Sequence, residues 1–170
     1  CNLTVPAHLR YLKGHDRVVQ DIPRDFDMAI LVDCAEQVLI EKTLRNPDAA
    51  RLNKVPVLIL DHHQDKIHMP FETINFIDEN AVSTGAVIFN LAKKENLQVG
   101  KDTATFVLAS ILSDTLGLSL DFVRADDFRT VADLTDLGAS MSEIDQARRE
   151  LNKRPQFITK YKAELLGRVE

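Results

Sequence analysis

In most of the first eighty residues, the apolar positions fall in short runs rather than at helical spacing. The two most apolar runs, MAILV and PVLIL, are aliphatic and end after a few residues, which favours buried strands of a parallel sheet over helices. Between them, residues 36–44 have apolar positions at helical spacing and predict a helix. Residues 64–73 are polar, are broken by a proline and predict a loop. The predicted strands are residues 17–20, 28–32, 56–60 and 74–77.

The second half of the chain changes to helical spacing. Ser83 or Thr84 is suited to cap the first helix there, since a hydroxyl oxygen can accept a hydrogen bond from a free backbone N–H. The next helix is unusually apolar over residues 106–112 and is expected to be buried. Gly138 is placed to end the third helix as a C-terminal cap. The predicted helices are residues 85–95, 101–116, 125–137, 142–151 and 155–166.

Strands that alternate with helices and are followed by several helices predict an α/β protein. We expect a parallel sheet with helices on both faces and a helical C-terminal extension. Residues 1–120 are expected to form the α/β metal-binding core, and residues 121–170 a helical segment that leads towards a second domain not contained in this chain. A chain of 170 residues has ample length for a buried core.

Composition restricts the kind of partner. Apolar residues make up 45% of the chain and charged residues 28%, an ordinary balance for a soluble protein. The net charge of −5 argues against nonspecific coating of nucleic acid, although a local basic groove is compatible with it. No apolar run reaches the length of a membrane span. The two cysteines, Cys1 and Cys34, do not make a disulfide framework, and Cys34 is interpreted as a small packed residue. These features predict a cytoplasmic protein with no membrane partner.

Candidate metal ligands follow both of the most apolar strands. Asp33 comes directly after the first, Asp61, His62 and His63 follow the second, and Asp114 interrupts the apolar helix near its end. Ligands of open α/β sheets bind beyond the carboxyl ends of the strands. For any one of these residues, a helix cap, a turn or a structural hydrogen bond is the ordinary explanation. Their conjunction favours a site for Mn²⁺, Mg²⁺, Fe²⁺ or Zn²⁺, because carboxylate oxygens mixed with imidazole suit these ions.

The tripeptide Asp61-His62-His63 after a strand resembles the signature of the DHH phosphoesterases. Four other segments resemble family motifs in the same order along the chain. They are LVDCAEQ, ENAVSTGAVIFNLAKKE, ASILSDTLGLSL and FRTVADLTDLGASMSEID. Within the superfamily, which includes RecJ-type exonucleases, the ending KYKAELLGRVE is most similar to the oligoribonuclease and phosphoadenosine-phosphate phosphatase branch.

The resemblance implies a role for each candidate residue. Asp33 would bridge two divalent metals, Mn²⁺ by preference, with Mg²⁺ or another divalent ion as a substitute. His62 and Asp114 would complete the ligand shell of one of them. Asp61 would orient an imidazole, and His63 would face the scissile phosphate. A metal-activated water would then attack phosphorus without a covalent enzyme intermediate.

The implied function is hydrolysis of a phosphodiester or phosphomonoester in a small nucleotide or a short single-stranded oligonucleotide. Two family features have no counterpart here: a His-x-x-x-Asp-x-Asp motif before Asp33, and a C-terminal substrate-binding domain. We therefore expect a DHH domain without its first strand, carrying about half of a two-metal site. The alternatives are a non-catalytic DHH-like nucleotide-binding or regulatory module, a truncated inactive fragment, and an α/β domain with an accidental tripeptide. A monomer and a homodimer both remain open.

Overall fold

The computed structural model describes residues 5–64 and 67–151, and these residues form an α/β fold around a parallel sheet. The strands are β1 (Ala29–Val32), β2 (Val57–Asp61) and β3 (Ile74–Ile77). The α-helices are α1 (Glu41–Leu44), α2 (Thr84–Lys94), α3 (Lys101–Asp114), α4 (Ala125–Asp136) and α5 (Met141–Leu151). Short 3₁₀ helices span Ala7–Leu9, His15–Arg17, Gln37–Ile40 and Pro47–Asn53. The α/β class and the parallel sheet predicted from the sequence are confirmed.

Three local predictions need correction, and one lies outside the described residues. Residues 17–20 do not form a strand, because a 3₁₀ turn ends at Arg17 and no neighbouring strand pairs with the residues after it among those described. Residues 36–44 form a 3₁₀ helix followed by one α-helical turn rather than a single helix. Helix α3 ends at Asp114, two residues before the predicted end. The helix predicted over residues 155–166 falls outside the described residues.

The sheet order is β1-β2-β3, with both strand pairs parallel. Val32 pairs with Leu60, and Asp61 pairs with Ile77, so the carboxyl ends of all three strands lie at one edge. Parallel strands need crossover connections, and α1 with the 3₁₀ helix Pro47–Asn53 provides the one between β1 and β2. The candidate residues after β1 and β2 are thereby brought side by side.

One face of the sheet is covered by the crossover. Side chains of Val57, Ala29 and Leu31 alternate onto this face and pack with Ala49 and Leu52 of the crossover. The opposite face is much more open, because the alternate apolar positions of the two edge strands stay accessible. Their exposed fractions are 51% for Ile30, 50% for Val32, 63% for Ile74 and 37% for Phe76.

The main core lies among the helices of the second half. Leu108, Ile111 and Leu134 are fully buried there, and Ile144 of α5 is 2% exposed. Gly138 has the left-handed φ of 93° that a helix C-terminal cap requires, as predicted. Within the described residues, none of the helices combines the length and the apolar character that crossing a membrane requires. The core residues are Val82, Ala86, Phe89, Ala104, Val107, Leu108, Ala109, Ile111, Leu112, Val131, Leu134, Ala139 and Ile144.

Candidate metal centre

Asp33 and Asp61 lie next to each other at the carboxyl edge of the sheet. The backbone N–H of Asp33 donates to the carbonyl oxygen of Leu60 at 3.0 Å, which continues the pairing of β1 with β2 by one residue. Asp33 then takes a left-handed conformation, with φ of 56°. Aspartate tolerates this conformation better than most residues, because its short polar side chain can hydrogen-bond locally. The strand therefore ends here, and 54% of the Asp33 side chain stays exposed beside the end of β2.

The Asp61 carboxylate is buried and organises both histidines that follow it. Its Oδ1 accepts hydrogen bonds from the backbone N–H of His62 at 2.7 Å and of His63 at 3.1 Å, and lies 2.6 Å from Nδ1 of His63. Burial alone would raise the pKa of Asp61, but the hydrogen bonds from His63 and His62 outweigh it and lower that pKa. The carboxylate is therefore ionised, which keeps a proton on Nδ1 of His63.

The ring of His62 is oriented by a backbone carbonyl. Its Nδ1 lies 3.2 Å from the oxygen of Ala81, which can only accept, so Nδ1 carries a hydrogen. The other ring nitrogen, Nε2, lies 3.7 Å from Oδ1 of Asp33 and 4.0 Å from Oδ2 of Asp114. In neutral His62 this Nε2 offers a lone pair, as a metal ligand must.

Asp114 reaches the site because α3 ends directly after it. The buried hydroxyl of Thr115 donates to the carbonyl oxygen of Ile111 at 2.6 Å and accepts from the backbone N–H of Leu118 at 2.9 Å. Leu116 and Leu118 both have positive φ, so the chain turns sharply out of the helix. This turn is the reason why the helix is shorter than its apolar pattern predicts.

The electrostatic environment of Asp114 opposes its ionisation. Burial raises the pKa of the Asp114 carboxyl, and the negative charge of Asp33 raises it further, while His62 and His63 act in the opposite direction. The negative charges of Asp33 and Asp114 repel each other, and a cation bound near both would relieve this repulsion. The same arrangement is frequent at functional sites.

Thr84 is a site contact that the sequence did not reveal. Ser83, rather than Thr84, is the N-cap of α2, since its side chain accepts from the backbone N–H of Ala86 at 3.1 Å. The Thr84 hydroxyl instead donates to Oδ1 of Asp33 at 2.8 Å. The sequence contains one clue to this contact: two hydroxyl residues stand at the start of the helix, where only one is needed for capping.

The donor atoms of this cluster fit a divalent cation. One ligand atom from each of Asp33, Asp61, His62 and His63 lies within 4.8 Å of the other three, and Asp114 joins them through His62. Metal bonds to nitrogen and oxygen are about 2.0–2.2 Å long, so two ligands of one ion lie at most about 4.4 Å apart. The separations of 3.7 and 4.0 Å around Nε2 of His62 meet this limit.

One buried oxygen adds to the fit. Oδ2 of Asp61 has no hydrogen-bond partner among the described residues, although the residue is fully buried. An unsatisfied buried carboxylate oxygen is costly, and a nearby positive charge would compensate it. The thiol of the neighbouring Cys34 is buried, and burial and the negative charge of Asp61 raise its pKa, so this thiol stays neutral and adds no charge. Cys34 packs as the sequence predicts.

Comparison with known sequences identifies a family and relatives that each match about two thirds of the chain. A model of the DHH family, N-terminal domain, matches residues 3–111. A probable manganese-dependent inorganic pyrophosphatase of Streptococcus equi subsp. equi (strain 4047) is 32% identical over 112 residues. The match covers 64% of this chain and 34% of that protein. A protein of the same description from Streptococcus equi subsp. zooepidemicus (strain MGCS10565) is 31% identical over 112 residues. The chain thus spans about a third of the length of these curated relatives.

Comparison with solved structures gives the same fold. An exopolyphosphatase-related protein from Bacteroides fragilis superimposes with a TM-score of 0.73 at 15% identity, covering 96% of this chain and 49% of that one. A putative family II inorganic pyrophosphatase of Methanococcus jannaschii superimposes with a TM-score of 0.59 at 20% identity, covering 86% and 48%. At these identities the superpositions establish the arrangement of strands and helices.

Proposed function

This chain belongs to the DHH family, and we propose that it carries the metal-binding core of a divalent-metal-dependent phosphoesterase. One observation carries the proposal most directly. Nε2 of His62, whose ring is fixed by a backbone carbonyl, faces the carboxylates of Asp33 and Asp114 at 3.7 and 4.0 Å. Three acceptor atoms from three separate elements converge there, which is the arrangement that a metal ion stabilises.

Asp33, His62 and Asp114 would hold the ion, and the proposal includes a second ion that shares Asp33. Manganese is the first candidate, because the curated relatives are named manganese-dependent. The same mixture of carboxylate oxygen and imidazole nitrogen accepts magnesium and other divalent ions. Such an ion supplies activation of a water molecule and neutralisation of phosphoryl charge.

His63 would act on the substrate rather than on the metal. Its Nδ1 is engaged by Oδ1 of Asp61 at 2.6 Å, and 51% of its side chain is exposed. The family resemblance implies that this ring faces the scissile phosphate or the leaving oxygen, where an imidazole can exchange a proton.

For the substrate we propose a phosphoester of a small nucleotide or a short single-stranded oligonucleotide. The preference follows the similarity of the chain ending to the oligoribonuclease and nucleotide phosphatase branch. Inorganic pyrophosphate is the second candidate, because the curated relatives are named pyrophosphatases. Both substrates present phosphoryl oxygens to a compact cationic site, so the five residues themselves do not choose between them.

The test combines metal binding with a substrate panel. Mn²⁺ affinity is measured by calorimetry on the full-length protein, and hydrolysis is then followed for a dinucleotide, a nucleoside bisphosphate and pyrophosphate. Asp33→Ala and Asp114→Asn should each abolish Mn²⁺-dependent turnover while the circular dichroism spectrum is retained. Asp136→Asn is the matched control, since Asp136 is the last residue of α4 as Asp114 is of α3 and is exposed. Near-normal turnover in either site variant would sink the assignment.

A further inference from the structure

We infer that Thr84 is a positioning residue that fixes the Asp33 carboxylate for metal binding; the inference rests on the proposed metal site. The Thr84 side chain is neither a proposed metal ligand nor needed to cap its helix. It acts through Asp33, whose oxygen it holds by a hydrogen bond across 51 positions of sequence.

The contact is made to the oxygen that faces the rest of the site. Oδ1 of Asp33 accepts from the Thr84 hydroxyl at 2.8 Å, and the same atom lies 3.7 Å from Nε2 of His62 and 3.8 Å from Nδ1 of His63. A hydroxyl donor at this position restricts rotation of the carboxylate about its own axis. It also leaves the remaining lone pairs of both oxygens available to a cation.

Asp33 needs such a restraint because its surroundings provide little else. More than half of its side chain is exposed, and it follows the last residue of an edge strand in a left-handed conformation. A free carboxylate there would sample several rotamers, each with a different distance to His62. Thr84 is 4% exposed, so its own hydroxyl is held in one place. Partners of this kind orient ligating carboxylates and contribute strongly to metal affinity.

The backbone next to Thr84 is tied to the helix that carries Asp114. The N–H of Gly85 donates to Oγ of Ser110 at 3.3 Å, and Ser110 lies one helical turn before Asp114 on α3. A Cβ on Gly85 would lie 2.7 Å from Cβ of Ser110, so only glycine permits this approach. The start of α2 therefore connects Asp33, through Thr84, to the helix that positions Asp114.

The test uses three substitutions of Thr84 in the full-length protein. Thr84→Val replaces the hydroxyl with a methyl group of similar size, Thr84→Ala removes it without adding bulk, and Thr84→Ser restores it. Mn²⁺ affinity is measured by calorimetry, and the visible absorption of bound Co²⁺ reports the ligand geometry. Thr103→Val is the control, because Thr103 is exposed on α3.

We expect Thr84→Val and Thr84→Ala to weaken Mn²⁺ binding about 10- to 100-fold. The Co²⁺ spectrum should change in both variants, whereas Thr84→Ser and Thr103→Val should match the unsubstituted protein. Equal Mn²⁺ affinity in Thr84→Ala and the unsubstituted protein would overturn the inference and leave the metal site standing. If the unsubstituted protein fails to bind Mn²⁺, both the proposed function and this inference fall.

Discussion

Nδ1 of His63 lies 2.6 Å from Oδ1 of Asp61, and the same oxygen also accepts the backbone N–H groups of both histidines. A single buried carboxylate oxygen thus fixes the backbone at the end of β2 and the ring of one histidine. The tripeptide Asp61-His62-His63 therefore stabilises the local backbone as well as supplying candidate site residues. Asp61 keeps the two histidines in place.

Asp61→Ala should lower the free energy of unfolding by about 2–3 kcal/mol, because three donors lose their acceptor. Urea denaturation at pH 7 measures this change. Asp78→Ala is the control, since Oδ1 of Asp78 accepts one backbone N–H, from Asn80, at an exposed position. A penalty for Asp61→Ala no larger than that of the control would contradict the role assigned to this carboxylate.

The same variant makes a prediction about pH. The folded-state pKa of Asp61 is lowered, so its stabilising contribution is complete above the unfolded value of about 3.9 and is lost as the pH falls through the folded value. The difference in stability between the unsubstituted protein and Asp61→Ala should therefore shrink from pH 7 towards pH 3. A difference that stays constant over this range would contradict the lowered pKa.

Asp114→Asn should raise the melting temperature of the metal-free protein at pH 7. Burial and the charge of Asp33 raise the pKa of Asp114, so its ionised form costs stability above the folded-state pKa, and the cost disappears as the pH falls through it. The asparagine removes that charge and keeps the shape. Scanning calorimetry in the presence of a chelator measures the effect, and Asp136→Asn should leave the melting temperature unchanged.

Added Mn²⁺ should reverse this order. The unsubstituted protein gains stability from an ion that binds only the folded state, whereas Asp114→Asn has lost one of the three proposed ligands. An equal rise in melting temperature for both proteins would exclude Asp114 as a ligand. The metal-free comparison would still stand as a test of the electrostatics alone.

Gly85→Ala should lower the free energy of unfolding by about 1–3 kcal/mol, because the new Cβ would lie 2.7 Å from Cβ and 2.8 Å from Oγ of Ser110. Gly100→Ala is the matched control: a Cβ added there would meet nothing within 4 Å, and the φ of −85° suits alanine. The control should change stability by about 1 kcal/mol or less, because the alanine causes no clash but is a poorer N-cap of α3 than glycine. Similar values for the two variants would mean that α2 can shift on α3 without cost.

Leu134→Ala should lower the free energy of unfolding by about 2–5 kcal/mol, since Leu134 is fully buried in the core formed with α2 and α3. Leu137 is 38% exposed just after the same helix, and Leu137→Ala should cost about 1 kcal/mol or less. Both are measured by urea denaturation.

Much of the site could be predicted because apolar runs indicate buried strands and a carboxylate after such a run is unusual. The predicted run 56–60 and the observed strand Val57–Asp61 differ by one residue at each end, so Asp61 and the two histidines were placed at the correct edge of the sheet. Asp114 was found because it interrupts an apolar helix. The structure brings these residues together with Asp33, whereas their roles towards a metal stay a prediction.

The parts that could not be predicted depend on contacts between distant residues. The valines at positions 18 and 19 favour a strand locally, but no neighbouring strand pairs with them among the described residues, and both remain exposed. From the local sequence, the hydroxyl of Thr84 is expected either to cap the helix or to face solvent. It does neither, because the fold brings the distant Asp33 within hydrogen-bond distance of it. The start of the 3₁₀ helix Pro47–Asn53 could have been predicted from Asn46, which caps it, and from the proline that follows. The pattern of apolar residues alone does not indicate this helix.

The three residues proposed to hold the ion come from the end of one strand, the end of the next and the end of a helix, so no short stretch of the chain contains the site. An unfolded or partly folded chain offers only scattered carboxylates and imidazoles. An ion that requires all three residues would therefore act as a reporter of correct assembly and would shift the folding equilibrium by mass action. Chelation would then slow or reverse the last step of folding, and the supply of the metal would help to set the amount of native protein.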